Sequence, residues 1–350
     1  MAPNSSMYIW RLLRNSQKQA KMLQLIKSYN NFKMAHRRIG QKTFADQIVQ
    51  SIVSASTVLQ KLDEAIDWAP IKAALSGIYV SPFGKESYPP LAMFKILLLQ
   101  NWYNLSDSQA EDALRDRISF RYFCGFSFHD ETPDKTTLCT FRKELVKANI
   151  DFLALINQQI EQKGLIVKTG TLIDATVIEA DASRPKGGEQ STTDPQAGWT
   201  KKRGQYVYGY KAHIGVDEGT EFVRKAVITS ADYHDSQIFY QCISGDERSV
   251  YADKAYDVQG YRLELRGNCI NDRMLYKAKR NHPINLIKKW LNATYSKKRA
   301  AVERIFGTWK RSRGYRRARY RGWEKNQMHL TMVAVAHNLK RIVHCRVVSV

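Results

Sequence analysis

The rhythm of hydrophobic and polar positions changes twice along this chain. Residues 1–45 are weakly patterned, whereas residues 46–165 read as helical. Pro89-Pro90 opens an apolar segment, Leu91–Tyr103, long enough for a buried helix. Asn104-Leu105 breaks it. Ser106-Asp107-Ser108-Gln109 then has the spacing of a capping box and starts a helix running to Asp116. A third short helix through Phe123 and another over Asp134–Ala148 follow. The face Thr136-Thr137-x-x-Thr140-x-Arg142-Lys143 is a candidate DNA-reading surface of a helix-turn-helix, a pattern that many helical bundles share.

From Lys168 the texture turns to β-branched and alternating. Strands are predicted over Leu172–Ala180, Tyr206–Val216 and Phe222–Thr229, with a polar, Gly/Pro-containing loop over Arg184–Arg203 and a turn at Asp217–Thr220. A helix over Asp235–Ile243, a short strand over Ser249–Ala252, a helix over Val258–Arg266 and a candidate fifth strand over Arg273–Tyr276 come next. Thr294–Lys310 and Glu324–Val343 are strong helices. The order β-β-β-α-β-α-β-α predicts an α/β domain: an RNase H-like mixed sheet with flanking helices, behind an all-α N-terminal domain. The predicted divisions are a basic arm (1–45), a helical DNA-binding or dimerisation domain (46–165) and the RNase H-like catalytic domain (166–345).

Charge narrows the function classes. Fifty-five Lys and Arg stand against 33 Asp and Glu in 350 residues, a formal net charge of +22. Such a surface repels itself until it meets a polyanion, and nucleic acid is the commonest large one. A ribosome-associated factor or a membrane-surface binder is the blander reading. The arm over 1–45 has no acid; it suits a DNA-contacting segment and equally a solvated terminus. Five cysteines without a CxxC pair indicate neither a zinc site nor a disulfide framework. No apolar run is long enough for a bilayer, and the N-terminus lacks a signal-peptide pattern, so a cytoplasmic protein without membrane contact is expected. No GxxxxGK[ST] loop is present, so ATP use is not indicated.

Three acids stand out. Asp174 lies among Leu172, Ile173, Val177 and Ile178, where a carboxylate is costly to bury unless something pairs with it. Asp253 follows the strand Ser249–Ala252, at a carboxyl end where α/β sheets tend to place their sites. Glu303 is the single acid between Lys288 and Arg321, against 13 Lys and Arg. At about 100° per residue, Arg299, Glu303 and Lys310 fall within roughly 40° of one another, and Val302, Ile305 and Trp309 form an apolar stripe roughly 110° away. The helix therefore packs by one face and presents a carboxylate flanked by two cations on another. A simple Arg299–Glu303 ion pair at i,i+4 would be worth less than ~1 kcal/mol at a surface and would leave the coincidence with Asp174 and Asp253 unexplained. Three acids on two strands and a helix suit two Mg2+ (or Mn2+) ions about 4 Å apart, which activate a water or a 3′-hydroxyl and stabilise the leaving oxygen in phosphoryl transfer.

These residues sit in recognisable runs. LIDATVIEA (Leu172–Ala180), TKKRGQYVYGYKAHIGVD (Thr200–Asp217), YADKAYD (Tyr251–Asp257) and KKRAAVERIFGTWKR (Lys297–Arg311) resemble the DDE transposases of the bacterial insertion-sequence-five group. NWYNLSDSQAEDALRDRISFRYFCGF (Asn101–Phe126) resembles the helical N-terminal domain of that group. The likeness implies metal ligands at Asp174, Asp253 and Glu303, and cleavage and strand transfer at the element's own inverted ends. Arg299, Glu303 and Lys310 match the spacing of a Tyr-Arg-Glu-Lys signature in related transposases, but Tyr295 lies one residue further from Arg299 than that pattern has it. The second-acid motif usually reads Ala-Asp-x-Gly-Tyr and is here Ala252-Asp253-Lys254-Ala255-Tyr256.

The expected partner is double-stranded DNA, both element ends and target, handled by a homodimer or higher assembly. Candidate phosphate contacts are Arg299, Lys310, Lys201, Lys202, Arg203, Arg313, Arg316 and Arg317, with Arg142 and Lys143 on the helical domain. Trp199, Trp290 and Trp309 are candidates for stacking on an unpaired base, Trp309 fitting a core better. His213 reads as a structural strand histidine and His234-Asp235 as a helix cap. Two rivals stay open: an RNase H-like nuclease without strand transfer, and a non-catalytic DNA-binding protein derived from a transposase.

Overall fold

The computed structural model describes residues 36–44, 46, 57–79, 86–182, 185–186, 188–202, 204–278 and 283–345. Most of the basic arm, and Arg203, lie outside the described residues.

Helices fill the first half. Thr57 and Gln60 form a capping box that starts α1 (Val58–Ala65), and α2 (Ala69–Ala74) follows. The proline pair opens α3 (Pro90–Tyr103), which is buried from Ala92 to Asn101 and ends at Asn104 in the left-handed region, φ 52°. Ser106 and Gln109 form their reciprocal capping box at the start of α4 (Asp107–Asp116). Next come α5 (Ile118–Cys124), α6 (Lys135–Ala148), N-capped by the Asp134 side chain, and α7 (Phe152–Gln162).

The second half is a six-stranded mixed sheet. β1 (Thr171–Glu179) is the centre. β2 (Gly198–Lys202) and β4 (Val223–Ser230) both pair antiparallel with β3 (Gln205–Asp217), which is antiparallel to β1. On its other side β1 pairs parallel with β5 (Ser249–Tyr251), and β5 with β6 (Asn271–Asp272). The order β4-β3-β1-β5-β6, three antiparallel strands then two parallel, is RNase H-like. α8 (Gln259–Gly267) connects β5 to β6, and α9 (Leu286–Ser312) and α10 (Trp323–His344) follow.

Four details differ from the sequence reading. The polar loop ends in a strand, β2, whose Lys201 and Lys202 are exposed. Asp235–Cys242 is a 3-10 helix capped by the His234 side chain. The last strand is shorter and earlier than Arg273–Tyr276, although Arg273 N and Leu275 N still donate to Val250 O and Ala252 O along β5. α9 begins at Leu286 because the Asn285 side chain caps it.

A single apolar core joins the halves. Met93, Phe94, Leu97 and Leu98 of α3 belong to the same cluster as Leu172 and Ile178 of β1, Ile214 of β3 and Trp309 of α9. α10 is the shared wall: Leu330, Val333 and Ala336 are enclosed, and Trp102 of α3 donates its indole N–H to Ala336 O. A second cluster behind the sheet packs Ile173, Val250 and Ala252 against Phe239 and Tyr256. The five cysteines are all free. Among the described residues, no helix is long and apolar enough to cross a membrane.

Candidate active site

Strand register brings the first two acids together. Parallel pairing sets Leu172 of β1 opposite Tyr251 of β5. Two residues beyond each partner stand Asp174 and Asp253, which are therefore level with one another. Asp253 leaves the strand as the cap of a 3-10 turn, Lys254–Tyr256, accepting from Lys254 N at 2.7 Å. Ala255 lies inside that turn and is not among the described non-glycine residues with positive φ. The backbone thus asks for no glycine there, and the departure from Ala-Asp-x-Gly-Tyr costs the turn nothing.

α9 brings the rest. Val302, Ile305, Phe306 and Trp309 are buried and seat it on the sheet. Arg299 is buried with them, its side chain 7% exposed. It donates from Nη2 to Asp174 Oδ1 at 3.1 Å and reaches Asp253 Oδ1 from Nη1 at 3.5 Å. Its Nε is enclosed without a partner among the described residues. Glu303, one turn on, is exposed and takes no hydrogen bond or ion pair among the described residues; Arg299 spends its charge on the two aspartates. Burial pushes the Asp174 carboxyl up to about 6 against the pull of Arg299, and Asp253 and Glu303 raise it further. Three carboxylates thus share one electrostatic neighbourhood with one guanidinium between two of them. Among the described residues no three His, Cys, Asp or Glu side chains converge tightly enough to hold a metal ion as they stand. The donor set is nonetheless all carboxylate oxygen with surplus negative charge, which suits a hard divalent cation.

Lys310 reaches the other end of β1, donating to Thr176 Oγ1 and to Val177 O at 3.3 Å. Burial first, then neighbouring Lys202, pulls it down to about 8. Thr176 was not singled out in the sequence, although its two-residue spacing from Asp174 on a strand places both on one face. Lys201, Lys202 and Arg316 are exposed, and Arg317 is exposed with Asp181 at 3.4 Å. Lys202, Lys310, Arg311 and Arg316 line one open cleft beside β1.

Arg142 is corrected as a predicted DNA contact, whereas Arg313 leaves the exposed run but lines a separate cleft. Arg142 is buried, bonded to Asp107 through both ends of its guanidinium at 3.1 and 2.5 Å, and lies over the Tyr320 ring. The cause is helical phase, since it stands four residues after Leu138 and three before Leu145, both buried. Arg313, four residues after Trp309, is likewise turned inward and donates to Val333 O at 2.8 Å. Lys143 is exposed.

The aromatic and histidine candidates separate by burial. Trp309 is in the core, Trp199 is half-buried and donates to Glu189 O, and Trp290 is 66% exposed. Tyr295 packs edge-on against Tyr251, the last residue of β5, and so braces the strand leading to Asp253. His213 is enclosed, shares a hydrogen bond with Thr229 Oγ1 at 2.9 Å, and is held down to about 4 by burial.

Comparison with known proteins agrees with this layout. The family described as Transposase DDE domain matches residues 166–339. The family described as Transposase domain (DUF772) matches residues 47–144. Among solved structures, a piggyBac transposase synaptic complex with hairpin DNA shares 11% identity over 88% of this chain and 77% of that one, with a TM-score of 0.41. A Mos1 transposase paired-end complex with the left transposon end shares 10% identity over 78% and 93%, with a TM-score of 0.19. Both resemblances are distant, and the assignment stands on the two family matches. One transposase family covers the helical half and another covers the sheet with its acids, and the chain belongs to the DDE transposases, enzymes of DNA transposition.

Proposed function

We propose that Asp174, Asp253 and Glu303 together hold divalent metal ions, two Mg2+ or Mn2+ per site, and that the chain uses them to cut the ends of its own element and join them to target DNA. DDE transposases use divalent metals. The observation that carries the residue assignment is the shared guanidinium: Asp174 and Asp253 lie within reach of one arginine, with Glu303 close enough to raise Asp174. A bound metal supplies the positive charge that makes a water or 3′-hydroxyl a better nucleophile and eases departure of the opposing oxygen.

The chain's own residues have separable tasks. Arg299 sets its positive charge between the paired aspartates. With a divalent cation held by these acids, Arg299 would be the nearest guanidinium available to donate to a phosphate oxygen beside the scissile bond. Lys310, bonded to the neutral oxygens of Thr176 and Val177 and to no carboxylate among the described residues, keeps its charge for the backbone of the same strand. Lys201, Lys202, Arg316 and Arg317 extend that track, with Lys143 on the helical half. No nucleotide hydrolysis is required, because joining exchanges one phosphodiester for another. The reading further places the chain in the insertion-sequence-five group, acting in the cytoplasm as a homodimer or larger assembly that pairs two ends.

The test is a Mg2+-dependent assay on duplex DNA bearing the ends of the element that flanks the gene, comparing the wild type with Glu303→Gln. Cleavage and joining by the wild type, and their loss in the variant with end binding retained, are expected. A variant that cuts as fast as the wild type overturns the ligand assignment. Cleavage without joining by the wild type would favour the nuclease reading.

A further inference from the structure

Arg313 is an unusual buried charge. It is 6% exposed, its Nη1 donates to Val333 O, and no carboxylate pairs with it among the described residues. Burial pulls it down to about 10. A charge taken out of water without a counter-ion is expensive, so such a group calls for an anion.

The surroundings supply a place for one. Arg313 lines an open cleft of about 500 Å³ between α9 and α10, together with Arg304, Lys340, Arg341 and Glu221. On α9 the cleft is bordered by Arg304, Thr308 and Ser312, a different face from that of Glu303. Among the described residues Glu221 is the single carboxylate lining it, and it already accepts from Arg304 at 2.7 Å and from Arg341 at 2.8 Å. Arg341 Nε is enclosed with nothing to donate to among the described residues. Four cations therefore face one anion that is fully shared, in a cleft that opens to solvent beside exposed Arg304 and Lys340.

We propose that this cleft binds a phosphate of the DNA backbone, a second contact site on the far flank of the catalytic helix. The proposal rests on the DNA-handling reading only for the identity of the ligand; the unbalanced charge stands without it. Phosphate fits because it accepts several N–H donors at once, and arginine forks are matched to its oxygens. A duplex held at the three acids and again across α9 would be gripped on both sides of the helix that carries Glu303.

The test is binding without cleavage, in EDTA, using a random-sequence duplex across a salt series. Lys340→Gln, at an exposed position, should weaken binding and lower the log–log salt slope by about one, the loss of one phosphate contact. Arg313→Met should abolish the rise in Tm that millimolar inorganic phosphate gives the wild type, while matching or exceeding the wild-type Tm without phosphate. An unchanged slope together with an unchanged phosphate response overturns the proposal. A lost phosphate response with an unchanged DNA slope would mean a free-phosphate site and would overturn the DNA assignment. Failure of the metal-ligand reading shows separately, in the Glu303→Gln cleavage assay.

Discussion

Arg299 touches Asp174 at 3.1 Å and Asp253 at 3.5 Å with the two ends of one guanidinium, so a residue of α9 ties mid-β1 to the turn after β5. Arg299→Gln should leave Asp174 enclosed without a cation. The metal-free variant is expected to lose about 2 kcal/mol, less than a fully buried pair because Asp253 is half-exposed. Mg2+ should then raise the Tm of the variant more than that of the wild type, read by calorimetry with and without the ion. Equal Mg2+ responses would mean that Arg299 and the metal do not share the same charges.

Arg142 belongs to the helical core and not to a DNA surface. Arg142→Ala removes the buried partner of Asp107 and should destabilise the fold by about 3 kcal/mol in urea denaturation. DNA affinity per folded molecule should stay within twofold. A selective loss of affinity with unchanged stability would return Arg142 to the DNA surface.

Much of the acid sensitivity should come from α10, with enclosed His213 of β3 adding to it. His329 is enclosed between Tyr315 and Tyr320, and burial, then Arg319 and Arg142, hold it down to about 3. His337 is held at about 3, chiefly by burial. The unfolded chain takes up these protons below about pH 6.5 and the folded chain does not, so the stability they confer is present above that pH and is lost as pH falls towards 3. Tm should therefore drop between pH 7 and pH 5, with a shallower drop in His329→Gln. Parallel Tm profiles for the two proteins would rule His329 out as a source.

Much of the layout was legible because local chemistry and tertiary structure agree. The proline pair before α3, the Ser106–Gln109 capping box and the alternation in β1 each work within a few residues. What escaped depends on distant partners. β2 is short, edge-placed and lysine-bearing, and only its pairing with β3 makes it a strand. Arg142 and Arg313 read as surface charge in a linear run, but helical phase relative to Leu138 and Trp309 turns each one inward. For the acids, sequence singled out the three positions, whereas the sharing of Arg299 between Asp174 and Asp253 follows from strand register, which charge counting does not reveal.

α10 has a consequence for how the protein is made. The bond from Trp102 to Ala336 spans 234 residues, so the core around α3 cannot close until a helix synthesised far later has left the ribosome. Until then the apolar faces of the early helices lack their wall and are exposed to aggregation or chaperone capture. The strands bearing Asp174 and Asp253 must wait as well, since Arg299 and Glu303 also come late. A chain interrupted before residue 300 would thus lack the wall of its early core, and a stable fold becomes available only to polypeptides translated past α10.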